Sequence, residues 1–516
     1  MSVMDWLRSR LRPSRVATPA PMHQTPSRMT WKPRPTDVVE SRSLSPATIP
    51  EVPTASAGPT RAPEPPVRDS TRRPGPPRYR HVHLGVDFGT CWSKLVLRDY
   101  EAPQDRCIVI RPGKAFDASD HYRLPSSVSV RGGKLYFGWT ASQIAQHPDA
   151  RTIHSPKMRA AFPQHDDTNM EGLSAEDISA LVVAYLLQVG SAMARAYCAS
   201  LRPSAVPRMS MSMGVPMSVL DTGPLRDRFL RIARVGFDIW KAEGEQSTLA
   251  AGVDLDRARN SLAAARERVN ARAVTSPREW IRSEAEAGLL WIFQSPLVKA
   301  GLYGCVDVGA GTTDVSFFRI RSRLEGGASV KDALGFYSAR SSPPAMDALG
   351  HCLASIDGHG LSLSTLRGQE NAVITQLGLS TDPRVRRVCE QVFATYRETW
   401  AAAYDKERGV GAWTDYGLFV LGGGSKVDPV AQSLQQSVWV GQLSDRRIRD
   451  AGFPADLFEW PSLKRFQEDA AFLLVAYGLS YLGTDVPEVE TPSQIPPMRI
   501  PMRVRAPIDQ DEYYPK

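Results

Sequence analysis

The chain is 516 residues long, enough for two or more compact units with large cores. Its six cysteines (Cys91, Cys107, Cys198, Cys305, Cys352, Cys389) show no paired short spacing, so neither a zinc site nor a disulfide framework is suggested, and a reducing cytoplasm fits best. The net charge of +8 lies wholly in residues 1–80, with 14 Lys/Arg against 6 Asp/Glu, and the remainder carries 49 charges of each sign.

Those first 80 residues also hold 16 of the 41 prolines and few apolar clusters. They read as a disordered basic arm, unable to bury enough surface to offset the entropy of ordering. At its start, "MSVMDWLRSRLR" sets Met4, Leu7 and Leu11 at helical spacing, as in a partner-binding or membrane-surface helix, or as incidental hydrophobes of a solvated tail. No apolar run follows the charges, so a secretory signal is not expected.

Next, in "HVHLGVDFGTCWSKLVLRDY" (His81–Tyr100), Val82, Leu84 and Val86 alternate before Asp87 and a turn at Gly89, with a return strand through Leu95 and Leu97. Ser174 and Asp177 form a capping-box pattern ahead of the apolar stretch 178–194, which reads as a buried core helix rather than a membrane span. Residues 255–273 read as a charged, largely solvent-facing helix.

"YGCVDVGAGTTDVSFFRI" (Tyr303–Ile320) repeats the plan of the first hairpin. Its second apolar run is β-branched and aromatic, so the unit is strand–turn–strand, which disfavours the dinucleotide and Walker loops that must open a helix. A third segment, "YGLFVLGGGSKVDPV" (Tyr416–Val430), ends a buried strand in Gly422, Gly423, Gly424 and Ser425. Consecutive glycines there let a flat ligand such as adenine or ribose approach the backbone. Residues 485–516 read as a disordered Pro-rich tail too short for a further β-sandwich.

A hairpin tip holds phosphate when its N–H groups point inward and no Cβ blocks the approach, which Gly309 and Gly311 permit; otherwise it is a tight turn in a buried sheet. Two such tips point to two similar half-domains facing one cleft. A carboxylate beside phosphates repels them unless a cation intervenes, so Asp87 and Asp307 imply Mg²⁺ held largely through waters, unless both merely cap their own turns.

With these segments in this order, residues 81–484 resemble the actin-like ATPase superfamily, and within it the heat-shock protein 70 chaperones and their diverged bacterial relatives. The resemblance implies an α/β fold with two ribonuclease-H-like lobes around a nucleotide cleft, at about 81–300 and 301–484. A peripheral subdomain at about 121–171, a helical insertion at about 241–276 and a lid at about 346–411 complete the expectation.

In "VDFGTCWSK", Asp87, Gly89, Thr90 and Ser93 fall on the family's first phosphate motif, while Cys91 and Trp92 replace its usual residues. In "VDVGAGTTDVS", Asp307, Gly309, Gly311, Thr312 and Asp314 match the second, with Ala310 in place of a glycine and Thr313 beside Thr312. "ARTIHSPKMRA" puts Lys157 on the lysine that contacts the γ-phosphate and attacking water, and "SEAEAGLLW" puts Glu284 on the catalytic glutamate, with Glu286 the residue most easily confused with it. By this resemblance Lys157, Glu284, Asp307 and Thr312 are catalytic, Asp87, Asp307 and Asp314 face the metal, and ATP or ADP with Mg²⁺ is the ligand. The family's adenine-side arginine falls on Val427.

The expected function is a slow, Mg²⁺-dependent ATPase switch acting through a protein partner, with the tails as its contact and without the usual peptide-binding domain. A filament-forming actin-like ATPase, or a binding module with weak hydrolysis whose arm touches anionic surfaces, are the alternatives. No sequence-specific nucleic-acid binding and no transmembrane segment are expected.

Overall fold

The apolar runs of the two hairpins become central strands because both of their faces are covered. The computed structural model describes residues 78–102, 106–111, 122–162, 170–243, 249–274, 276–295, 298–325, 328–343, 346–357, 366, 369–413, 416–435, 447–449, 454–466 and 472–498, a mixed α/β structure. The basic arm and its amphipathic start lie outside the described residues.

The first hairpin pairs Arg78–Asp87 with Trp92–Asp99, and the second pairs Gly301–Val308 with Thr313–Glu325. Each continues into a third antiparallel strand, Arg106–Val109 and Ala328–Ser342 respectively. In both sheets two later strands then add parallel beside the first. These are Ala205–Val215 and Ile281–Ser283 in one, Gly417–Leu421 and Arg447–Arg449 in the other. Each sheet finally receives a short parallel strand against its third member, Leu457–Glu459 and Glu488–Glu490. The two sheets therefore share a strand order, although the first borrows Leu457–Glu459 from within the stretch that builds the second and alone adds Arg123–Pro125 beside its second strand.

Helices sandwich the first sheet. Its Leu84 leaves room for the helix Ala175–Leu201 only because Gly190 has no Cβ, while Gly85 on the opposite face lies against the backbone of the helix Leu474–Leu479. The Ala175–Leu201 helix begins with the expected capping box of Ser174 and Asp177, and although long and apolar enough to span a bilayer it is mostly buried inside the fold. The second sheet buries a Tyr303–Phe318–Phe419 stack beneath the helix Glu284–Gln294, and Phe317 on its other face meets Tyr396 of the helix Pro383–Tyr404.

Two expectations are corrected. The helix Leu255–Asn270 is not simply solvent-facing: Leu255, Ala258, Leu262, Ala265 and Val269 are buried, and Arg268 pairs with Asp238 at 2.7 Å. Immediately before it, Val253–Asp254 adds an edge strand to the small sheet formed by Ser127–Arg131, Lys134–Phe137 and Arg151–His154.

The start of the Pro-rich tail is also structured, through residue 498. Glu488–Glu490 pairs with the strand Ala328–Ser342, and Arg321 binds Glu490 at 2.5 Å. Pro487 O accepts from Arg278 Nη2 at 2.7 Å and the Ser493 amide donates to Asp221 Oδ1 at 3.2 Å, so residues next to both sheets hold this strap. Proline does not prevent this, because a three-residue edge strand needs few amide donors.

The helices Glu284–Gln294 and Leu474–Leu479 cross at Gly478, where a Cβ would run into the Ala287 carbonyl. Gly478→Ala is therefore expected to destabilise the fold by about 1–3 kcal/mol in denaturant unfolding. Gly223→Ala, at a position open to solvent, is expected to unfold like the native chain.

Candidate functional site

Each tip is a short turn closed by its own backbone. The Gly89 amide donates to Asp87 O at 3.0 Å, and the Gly309 amide to Thr312 O at 2.9 Å. No hydrogen bond among the described residues engages the amides of Thr90, Ala310 or Gly311. The tips touch: a Cβ on Gly311 would strike the Thr90 methyl and Met158. Asp347, whose amide donates to Ala310 O at 2.6 Å, also accepts from Cys91 Sγ at 3.5 Å and so links the second tip to the first.

Cross-strand register then decides which side chains face each other. Asp87 stands opposite Lys94, whose ammonium donates to its carboxylate at 2.5 Å. Asp307 stands opposite Asp314, an acid–acid pair. Asp314 Oδ2 accepts from Thr312 Oγ1 at 2.9 Å, whereas its buried Oδ1 has no hydrogen-bond partner among the described residues. Gly422 follows the strand Gly417–Leu421 at φ +76°, and a side chain there would meet Asp307 Oδ1.

Lys157 enters from a third direction, on the helix Pro156–Ala161, whose entry is set by Ser155 in the left-handed region at φ 58°. The lysine is 5% exposed and pairs with Glu284. Glu284 is the first residue of its helix, which Ser283 Oγ caps by accepting the Ala285 and Glu286 amides at 3.1 and 3.3 Å. Glu286 turns away and accepts from Arg278 at 2.7 Å, so the two glutamates are separated in role by half a turn.

These elements enclose one cavity of about 480 Å³. Asp87, Gly89, Thr90, Cys91 and Trp92 line it from the first hairpin. Asp307, Gly309, Ala310, Thr312 and Asp314 line it from the second. Lys157, Glu284, Gly422 and Gly423 complete the expected set.

Three expected binding residues do not line it. Gly311 is used against Thr90 and Met158, Gly424 against Val308 and Met346, and Thr313 is fully buried opposite Val308 in the ladder. Ser93 is buried too, bonded to Ser126 at 2.8 Å. Ser425 lies on the turn after the third strand, Gly423–Lys426.

The walls also include residues that sequence reasoning missed, notably Lys94, Arg123, Lys426 and Phe472. Lys94 was findable: it is the inward-facing residue of the return strand that register places opposite Asp87. Arg123 and Lys426 both lie within 6 Å of the Phe472 ring centre, at 5.3 and 4.9 Å. Nothing local in the sequence joins these three.

Burial dominates the electrostatics. It pushes the Glu284 carboxyl up to about 7, a rise that Lys157 opposes and Asp87 and Asp314 reinforce. Burial likewise raises Asp307 to about 7, with Asp314 and Glu284 adding to the rise and Lys94 opposing it. Asp314 also moves upward, chiefly by burial. An acid-rich hollow with lysines at its edge and open amides at its tips suits a cation placed between carboxylates and phosphate oxygens. No three His, Cys, Asp or Glu side chains among the described residues are grouped to cage a metal directly, so Asp87, Asp307 and Asp314 would act on such a cation through water.

No protein-family model matches this chain, and no curated protein matches it either.

A carboxyl raised on folding contributes stability that is fully present below its unfolded pKa, near 3.8 for aspartate, and lost as pH rises through about 7. Asp307→Asn removes that loss. It is expected to raise Tm at pH 8 by about 2–5 °C, with the gain shrinking as pH falls toward 4, in thermal melts across that range.

Proposed function

We propose that the chain is a Mg²⁺-dependent ATPase of the actin-like superfamily, similar to the nucleotide-binding part of heat-shock protein 70 chaperones. One observation carries this reading. The tips of two identically wired hairpins, a buried lysine and the partly buried glutamate it pairs with, from four separate stretches of sequence, line a single cleft. On this reading the two sheets are the cores of two ribonuclease-H-like lobes, and the cleft between them takes the nucleotide.

The residues have consistent tasks. The amides of Thr90 and Ala310 and the hydroxyls of Thr90 and Thr312 receive phosphate oxygens. Mg²⁺, when bound, offsets the negative charge that Asp87, Asp307 and Asp314 would otherwise set against the phosphates. Lys157 stabilises charge developing on the γ-phosphoryl oxygens. It gives up part of its ion pair with Glu284 to do so, which leaves that carboxylate to orient the attacking water and hold its proton. A carboxyl raised to about 7 suits that work near neutral pH. The glycines at 422 and 423 admit the nucleoside end beside Phe472.

The reading is tested on the purified full chain by ATP turnover with and without Mg²⁺. Lys157→Ala is expected to lower turnover by about 10²- to 10³-fold while ATP still binds, and Asp307→Ala to abolish the Mg²⁺ dependence. Absence of ATP binding by the native chain, or unchanged turnover in both variants, overturns it.

A further inference from the structure

Two residues before Glu284, the strand Ile281–Ser283 carries Arg282, whose side chain is fully buried. Its Nη2 donates to two backbone carbonyls, Gly478 O at 2.8 Å and Tyr481 O at 2.9 Å, at the C-terminal end of the helix Leu474–Leu479. Its Nε and Nη1 have no hydrogen-bond partner among the described residues. Glu286, which attracts it at longer range, is hydrogen-bonded by Arg278. A buried guanidinium so incompletely paired is an expensive way to fill space, since an apolar side chain of like volume usually serves a core better. The position calls for an explanation other than packing.

The helix it grips begins beside the cleft. Phe472 and Val475 line the cavity, while Leu479 and the Glu284 side chain lie together over Gly214, each 3.0 Å from where its Cβ would stand. Gly478 meanwhile touches the helix Glu284–Gln294 at Ala287. Two ties thus connect this cleft-lining helix to the segment bearing Glu284: a contact after it at Gly478–Ala287, and a hydrogen-bonded one before it through Arg282.

We propose that Arg282 is a positioning residue for Glu284, fixing the glutamate relative to the short helix that, with Phe472 just before it, forms the nucleoside wall of the cleft. The inference rests on the ATPase reading. Arg282 touches no reacting atom; through its two carbonyls it makes the placement of Glu284 depend on the placement of Phe472 and Val475.

The test separates binding from cleavage in the native chain, Arg282→Met and Arg282→Lys, by equilibrium titration with MgATP and by single-turnover cleavage at saturation. The expected result is affinity within about threefold of native for both variants, cleavage about 10- to 100-fold slower in Arg282→Met, and recovery of much of that loss in Arg282→Lys, whose ammonium can still donate to the carbonyls. Cleavage at the native rate in Arg282→Met overturns the inference, as does a parallel loss of affinity and cleavage, the mark of a merely structural role. Should Arg282→Met fail to fold, Arg282→Gln, shorter and uncharged, takes its place: slowed cleavage with native affinity supports the role, and a native rate removes it. A native chain that neither binds nor cleaves MgATP defeats the ATPase reading, and this inference with it.

Discussion

Four carboxylates, those of Asp87, Glu284, Asp307 and Asp314, line one wall-to-wall stretch of a largely buried cleft, with Lys94 and Lys157 to offset them. Such an arrangement opposes folding, because every acid added to a buried cluster raises the cost of ionising the others. The surrounding architecture makes it tolerable. Two stiff hairpins, each locked in a sheet covered on both faces, hold the aspartates by register, and a capped helix N-terminus holds the glutamate. Two of the four carboxylates are paired with lysines and two face each other across a ladder, so the hollow keeps an excess of acid.

Much of this was legible in the sequence. Alternation in "VHLGVD" and "YGCVDV" locates the first strands, and glycine turns followed by β-branched runs locate the returns. The residues brought to the cleft by backbone wiring alone, Asp87, Asp307, Thr312 and Gly422, follow from those patterns. The distinction between Glu284 and Glu286 does not, because it depends on which turn of a helix meets Lys157 and which meets Arg278.

Glycine patterns announce a close approach without naming what approaches. Gly309 borders the cavity, yet Gly311 gives way to Thr90 and Gly424 to Val308. The buried stripe of the Leu255–Asn270 helix, by contrast, was present at helical spacing and was obscured by the arginines around it. Arg282 was invisible for a different reason: its partners are main-chain carbonyls nearly two hundred residues away, and carbonyls leave no trace in a sequence.

The strap at Asp485–Met498 has one more implication. It is fastened to Asp221 and Arg278 on one side and to the Ala328–Ser342 strand on the other, by a handful of bonds near the surface. Any hinge-like rotation of the sheets must stretch or release some of those fastenings. This short segment is thereby a physical tie between the two sheets, as a latch is between door and frame.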